Sequence, residues 1–557
     1  MRNGIGIFAA IFAGLPALCA GSWLDNAKSE FVGIQALPNS KPFAKPDDPI
    51  FSIPREKFFP FIDEYGQFKH RDWTNKIHSD ADLQAQKARE ADFNASLGKI
   101  ADYDKFGGYK NDSLKAAATG RFTLDKIGGK WTFRDPDGYP FWSWGIDCVG
   151  ADGAGATALT GREKYFEKID PAYVSKTRLY DVKKGKHAQS EAVDFSRRNF
   201  AKKYGERTFG QKAEFTGNRL RAWGINSAGA WSDEKLAREA QIPFTVFVGS
   251  ARCEYLAPDN PKLKLDLYWT KFPDYLHPDF KKNTIKSVLG KSELINSPYC
   301  IGVFVDNELP WQAKAGLIGR ALLSCPASQP SKIEFSKLLE KKYGTISALN
   351  SAWKSDYKDW ADFLQTRDFD TQTPAAQEDF GAIEKVLTEA YFDACRAAVK
   401  AAHPDALYLG CRFGFNWLNP IVVNAAFEKC DAVTFNIYKP SPLEFKKLVP
   451  ENVADKPILI GEFHFGAADV GNFWCGLQPR ETSAERTQAM VKYLEDAAKS
   501  PDIVGVHWFN YYDQYTTGRF DGENGAIGFA DICDTPKYDM AKASHDFAKK
   551  MYRMRFE

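Results

Sequence analysis

Glu308 and Glu462 are the residues of this sequence best placed to do chemistry. Each sits at the end of an apolar run, CIGVFVDNE at 300–308 and ILIGEFHF at 458–465. A carboxylate on a helix face is commonplace, whereas one that directly ends an apolar strand is held at the rim of a core. Two such groups facing each other across a cavity can cleave a glycosidic bond. One attacks the anomeric carbon and the other protonates the leaving oxygen. A separation of about 5–5.5 Å gives retention through a covalent glycosyl intermediate, and a wider one leaves room for direct attack by water. The proton donor must stay protonated near neutral pH, which burial and a neighbouring negative charge achieve.

The elements that would position these acids are legible as a recurring pattern. Eight short apolar runs alternate with helical stretches: 141–150, 225–231, 244–249, 300–308, 407–413, 432–438, 458–465 and 503–511. Helices are predicted at 192–205, 233–240, 278–289, 333–343, 378–403, 442–449 and 482–499, with 537–552 closing the chain. Continuous apolar strands separated by helices indicate a parallel sheet covered on both faces. Eight such units predict an α/β fold of the (β/α)8 TIM-barrel type, in which the loops after the strands form the active face. The competing doubly wound sheet normally carries a GxGxxG turn after its first strand, and that pattern is absent. The predicted barrel, 121–557, exceeds the roughly 250 residues of a bare barrel, with the excess in long active-face loops after strands one, three and four. Gly128-Gly129 between two β-prone runs predicts a hairpin at 121–134. Residues 21–120 are polar and proline-bearing, with one helical stretch at 80–97, and are expected to form an extended N-terminal segment packed on the barrel.

Residues 1–20, MRNGIGIFAAIFAGLPALCA, have the layout of a signal peptide, so export to the periplasm or the exterior is expected. Cys19 leaves lipoprotein anchoring open. No later segment has the roughly 20 uninterrupted apolar residues of a membrane span. Lys and Arg total 74 against 72 Asp and Glu, without basic runs, which argues against a nucleic-acid partner. The nine cysteines beyond the leader show no CxxC spacing and read mostly as buried thiols, with room for one or two disulfides. No metal site, cofactor or GxSxG nucleophile is indicated. The 42 Phe, 23 Tyr and 14 Trp exceed ordinary usage; most fill the core, and rings at a surface can stack on sugars.

Asn307-Glu308 after strand four and Glu462 after strand seven resemble the pattern of the clan A glycoside hydrolases. That resemblance makes Glu308 the acid/base and Glu462 the nucleophile. It gives Asn307 the hydroxyl next to the anomeric carbon, Tyr438 the task of orienting the nucleophile, and Trp508 the floor of the subsite. The stretches GKWTFRDPDGYPFWSWGIDCVG (129–150), VDNELPW (305–311), GEFHFGAADVGNFWCGL (461–477) and HWFNYYDQYTTGRFDGENGAIGFADICDTP (507–536) are similar to glycoside hydrolase family 50, the β-agarases. FIDEYGQFKHRDW (61–73) is similar to the segment preceding the barrel in that group. The resemblance implies a secreted retaining hydrolase of β-1,4-galactosidic bonds in agarose. The family commonly carries a large N-terminal sandwich, for which the residues before strand one are too few. Other β-galactans (porphyran, carrageenan, a plant galactan) and a non-catalytic polysaccharide-binding barrel therefore remain as alternatives.

Further candidates follow from strand tips and active-face loops. His464, two residues beyond Glu462, is either a sugar contact or structural. Of the adjoining His507 and Trp508 only one can face the cavity, and Trp508 is taken as that one. Arg412 would steady Glu308, bind a hydroxyl or meet an acidic group on the substrate. Asp147 and Trp144 would reach the sugar or be buried. Trp231, Trp311 and Trp474 would stack on sugars or anchor loops. Arg519, Asp521 and Glu523 suit hydroxyl recognition, or form a salt-bridge cluster that shapes their loop.

Overall fold

The computed structural model describes residues 53–557 apart from 152, 182–185, 260–264, 266–270, 368–369, 416–417 and 473–474. The leader, Cys19, residues 21–52 and Trp474 therefore lie outside the described residues.

Eight strands fall within, or at the end of, the predicted apolar runs: β1 (Ser143–Ile146), β2 (Ser227–Ala228), β3 (Phe244–Val248), β4 (Cys300–Val305), β5 (Phe413–Gly414), β6 (Val433–Asn436), β7 (Ile458–Phe463) and β8 (Ile503–Trp508). They form one curled parallel sheet in the order β4-β3-β2-β1-β8-β7-β6-β5. Every residue of β4, β7 and β8 is buried, so both faces of these strands need apolar or small side chains, which explains runs without polar alternation. The two ends of this order also meet. Val303 of β4 donates its N–H to Leu407 O at 2.8 Å and accepts from Leu409 N at 2.9 Å, and Val305 donates to Gly410 O at 3.0 Å.

Helices cover the outer face, including Phe280–Leu289, Pro374–Ala402, Ser483–Lys499 and Tyr538–Phe556. A helix at Phe209–Ala222 was not anticipated, because two glycines and several polar residues blur its pattern. A capping box fixes its start: Thr208 accepts from Gln211 N, and the Gln211 side chain bonds back to the Thr208 backbone. The stretch predicted as a helix at 442–449 is instead a 3-10 turn, Pro442–Lys447, opened by a proline that suits a first turn.

The hairpin pairs Thr123–Ile127 with Lys130–Arg134, in the register Ile127↔Lys130 that leaves Gly128 and Gly129 as the turn. Both have positive φ, 56° and 79°, as a two-residue hairpin turn requires. Phe122, Phe133 and Phe141 share one cluster with Ile301, Phe304, Leu409, Leu459 and Val504, so this part covers the N-terminal ends of the strands and leaves the opposite face for a site. The connection after β1 carries a three-stranded antiparallel sheet (Thr157–Ala158, Val174–Asp181, Lys186–Val193). The N-terminal segment packs Phe58, Phe61 and Phe68 with Tyr165, Phe195 and Tyr515. Its helix Asp80–Leu97 is tied down by Glu90, which forms a buried ion pair with Arg219 at 2.6 Å. The nine described cysteines are free, and no described helix is long and apolar enough to cross a membrane.

Candidate active site

Glu308 and Glu462 enter one hydrogen-bonded cluster from different strands. At the end of β4 the backbone turns sharply: Asp306 and Glu308 have φ of 64° and 45°, left-handed values that β-carbon-bearing residues rarely adopt. The turn separates two carboxylates. Asp306 is buried and accepts from Ser250 N at 2.9 Å and Arg252 Nη2 at 2.8 Å, a structural anchor toward β3. Glu308 instead donates its N–H to Arg412 O at 3.1 Å, and its Oε1 accepts from Asn436 Nδ2 at 2.9 Å. Asn436 ends β6 and is the direct strand neighbour of Glu462 on β7.

Glu462 is held from two sides. Arg412 donates to its Oε1 at 2.8 Å, and the Tyr438 hydroxyl donates to its Oε2. The Arg412 guanidinium also reaches Asn307 Oδ1 at 3.0 Å, Asp147 Oδ2 at 3.0 Å and Gly461 O at 3.1 Å. Burial, and next the charge of Glu462, push the Glu308 carboxyl up to about 8, so it carries a proton at neutral pH. Asp147, wholly buried, is raised well above the usual carboxylate range by burial and then by Glu462, against the opposing pull of Arg412.

Several predicted site residues have other roles. Trp508 is completely buried. Its Nε1 donates to Ile527 O at 2.7 Å and its ring packs edge-on against Phe463 and Phe529, so it is no floor for a sugar. His507 takes the inward position, bonded to Ser143 Oγ at 2.9 Å, because the interior there is too narrow for an indole. Even a β-carbon on Gly145 would lie 2.4 Å from its ring. Trp311 is equally buried, against Phe272, Tyr275, Tyr391 and Phe392. Trp144 donates to Ser544 on the last helix. Arg412 and Asp147 have no exposed surface, so they support Glu462 from behind rather than touch a sugar; the Arg412 guanidinium bonds Glu462 and not the Glu308 carboxyl. His464 is a structural pin, bonded to Phe509 O through Nδ1 at 3.0 Å and accepting from Leu477 N at Nε2, 2.8 Å. Burial lowers it to about 3, so the ring is neutral.

Trp231 keeps an exposed ring (38%) and stacks on the Arg412 guanidinium at 4.5 Å. Arg519, Asp521 and Glu523 form the salt-bridge cluster, with Arg519 at 2.8 Å from both acids and its guanidinium against Phe509 and Phe520. Asn436 has no sequence signal beyond its place at a strand end, and the sequence reading sets His507 aside in favour of Trp508. Phe520, half exposed beside Arg519, has no sequence signal beyond its loop position. Among the described residues no cluster of three His, Cys, Asp or Glu could hold a metal ion.

No family profile matches the chain. Two curated proteins of Vibrio sp. (strain JT0107) are similar. β-Agarase B is 30% identical over 540 residues, covering 89% of this chain and 55% of that protein. β-Agarase A is 30% identical over 526 residues, covering 88% and 52%. The chain thus spans about half the length of the curated relatives it matches. Among crystal structures, an agarase is 30% identical with a TM-score of 0.80, covering 91% of this chain and 75% of that one. An exo-β-agarase is 29% identical with a TM-score of 0.80, covering 90% and 74%. The architecture and paired acids are of the kind found in polysaccharide-cleaving α/β enzymes. The chain belongs to glycoside hydrolase family 50.

Proposed function

We propose that the protein is an exported glycoside hydrolase that cleaves β-galactosidic bonds in agarose by double displacement, on a closed (β/α)8 barrel of the clan A kind. The closed barrel is supported by the hydrogen bonds between β4 and residues 407–410. Export rests on the leader-like residues 1–20. The observation that carries the reaction is the joining of Glu308 and Glu462 through Asn436, Asn307 and Arg412. In the first step a Glu462 oxygen bonds to the anomeric carbon while its bond to the glycosidic oxygen breaks, and Glu308 gives that oxygen its proton. In the second step water replaces Glu462 on the carbon and Glu308 takes the proton back. A protein that only binds polysaccharide has no need of a half-buried acid held protonated beside a second carboxylate.

Charge favours neutral agarose over sulfated galactans. Arg412 is buried on Glu462 and Asp147, and Arg519 is engaged by Asp521 and Glu523, so both cations that would meet a sulfate already have carboxylate partners. The test pairs two experiments. Glu308→Ala and Glu462→Ala should each lower turnover by several orders of magnitude, and azide should rescue Glu462→Ala with a glycosyl azide of inverted configuration. Product analysis across agarose, porphyran, carrageenan and plant galactan should show release from agarose. Wild-type-like turnover by either variant overturns the assignment.

A further inference from the structure

We infer that Asn436 is a positioning residue that sets the protonation of Glu308, an inference that rests on the hydrolase reading above. Its side chain is buried: across the sheet Asn436 is paired with Glu462, and its Nδ2 meets Glu308 Oε1 at 2.9 Å and Asn307 Oδ1 at 3.3 Å. This geometry permits only one orientation of the amide. Asn307 Oδ1 already accepts from Arg412 Nε at 3.0 Å, so it presents an acceptor toward Asn436. A flipped Asn436 would set its amide oxygen against both Asn307 Oδ1 and Glu308 Oε1. The amide nitrogen is thus committed to donating, while its oxygen is left without a partner, beside the backbone of Gly461.

A fixed donor favours the carboxylate form of Glu308, since only that form gains from every N–H aimed at it. The groups facing Glu308 act in both directions. Glu462 on β7 and Glu523 beyond β8 oppose its ionisation, as does burial, whereas Arg412 just before β5 and Asn436 on β6 favour it. Tyr438, also beyond β6, stays neutral on Glu462. Asn436 therefore keeps the acid within reach of ionisation, which the second step requires when Glu308 must accept a proton from water. It also fixes Asn307, leaving that residue's amide nitrogen as the group offered to a sugar hydroxyl.

The experiment is the pH profile of kcat/KM on a soluble neutral galacto-oligosaccharide for wild type and Asn436→Ala. The alkaline limb of the wild type should fall near pH 8. In the variant it should fall about one pH unit higher, the size expected when a hydrogen bond to a charged group is lost. kcat should drop as the second step slows. Asn436→Leu, close in size, answers the same question if Asn436→Ala fails to fold. A lowered kcat with an unmoved alkaline limb in a folded variant overturns the inference. If instead Glu308→Ala remains active, the hydrolase reading fails, whatever Asn436 does.

Discussion

Replacing Arg412 by methionine tests how the site is held together. The methionine keeps much of the aliphatic stem and removes the one guanidinium that bonds both Asp147 and Glu462. Asp147 has no exposed side-chain surface and Glu462 has 7%. Two carboxyl groups would then share a buried space without a cation, while Asn307 Oδ1 loses its 3.0 Å donor and Gly461 O its 3.1 Å donor. Removing one partner of a buried ion pair typically costs about 3–5 kcal/mol, and this one serves two acids. Lysine would not substitute, because a single ammonium cannot match the four acceptors that the planar fork reaches. The sign of the pH dependence follows from Asp147. Its carboxyl in the folded protein is already raised, so the stability it contributes is present at low pH and is lost as pH rises through the folded value. Without Arg412 that value moves higher still, so the destabilisation should be smaller at pH 5 than at pH 8. Denaturant unfolding of wild type and Arg412→Met at both pH values measures this, and Asp147→Asn/Arg412→Met should recover part of the loss at pH 8. A wild-type midpoint in Arg412→Met, or a deficit that shrinks as pH rises, would refute the reasoning.

Two other perturbations are predicted from local geometry. A β-carbon at Gly461 would lie 2.6 Å from Thr434 Cγ2 and 2.8 Å from Asn436 Oδ1, so Gly461→Ala should displace Glu462 and lower kcat at least tenfold; unchanged kcat would show that β7 can shift freely. Asp135 is pushed up to about 8 by burial and then by the charge of Asp104, so its contribution to stability is present at low pH and lost between about pH 4 and 8. Asp135→Asn should flatten the thermal midpoint over that range and raise it at pH 8, and a midpoint with the wild-type slope would refute the assignment.

What could be read from the chain was whatever depends on local pattern. Strands buried on both faces must be apolar throughout, so the eight runs were visible as sequence. The helix Asp80–Leu97 showed itself by composition, and the hairpin by Gly128-Gly129. Glu308 and Glu462 stood out because a charge at the end of such a run is out of place unless something holds it. The direction of a side chain at a strand tip is set by neighbours hundreds of residues away, and there the sequence reading failed. On sequence alone Trp508 is the inward member of its pair with His507; the narrow gap at Gly145 and the carbonyl of Ile527, which accepts the indole N–H, reverse that choice. Trp311 occupied an active-face loop by position, yet Tyr275, Tyr391 and Phe392 enclose it. Arg412 is separated by 50 residues from Glu462 and by 265 from Asp147, and only folding makes them one charged unit. Asn436 carried no signal at all, since an asparagine acquires meaning only from what its amide faces. The sequence by itself determined where the eight strands fall and which two acids stand at their ends. The tertiary structure decided which neighbours hold those acids and where the proton resides, because burial and hydrogen-bond direction are properties of packed surroundings that no local pattern encodes.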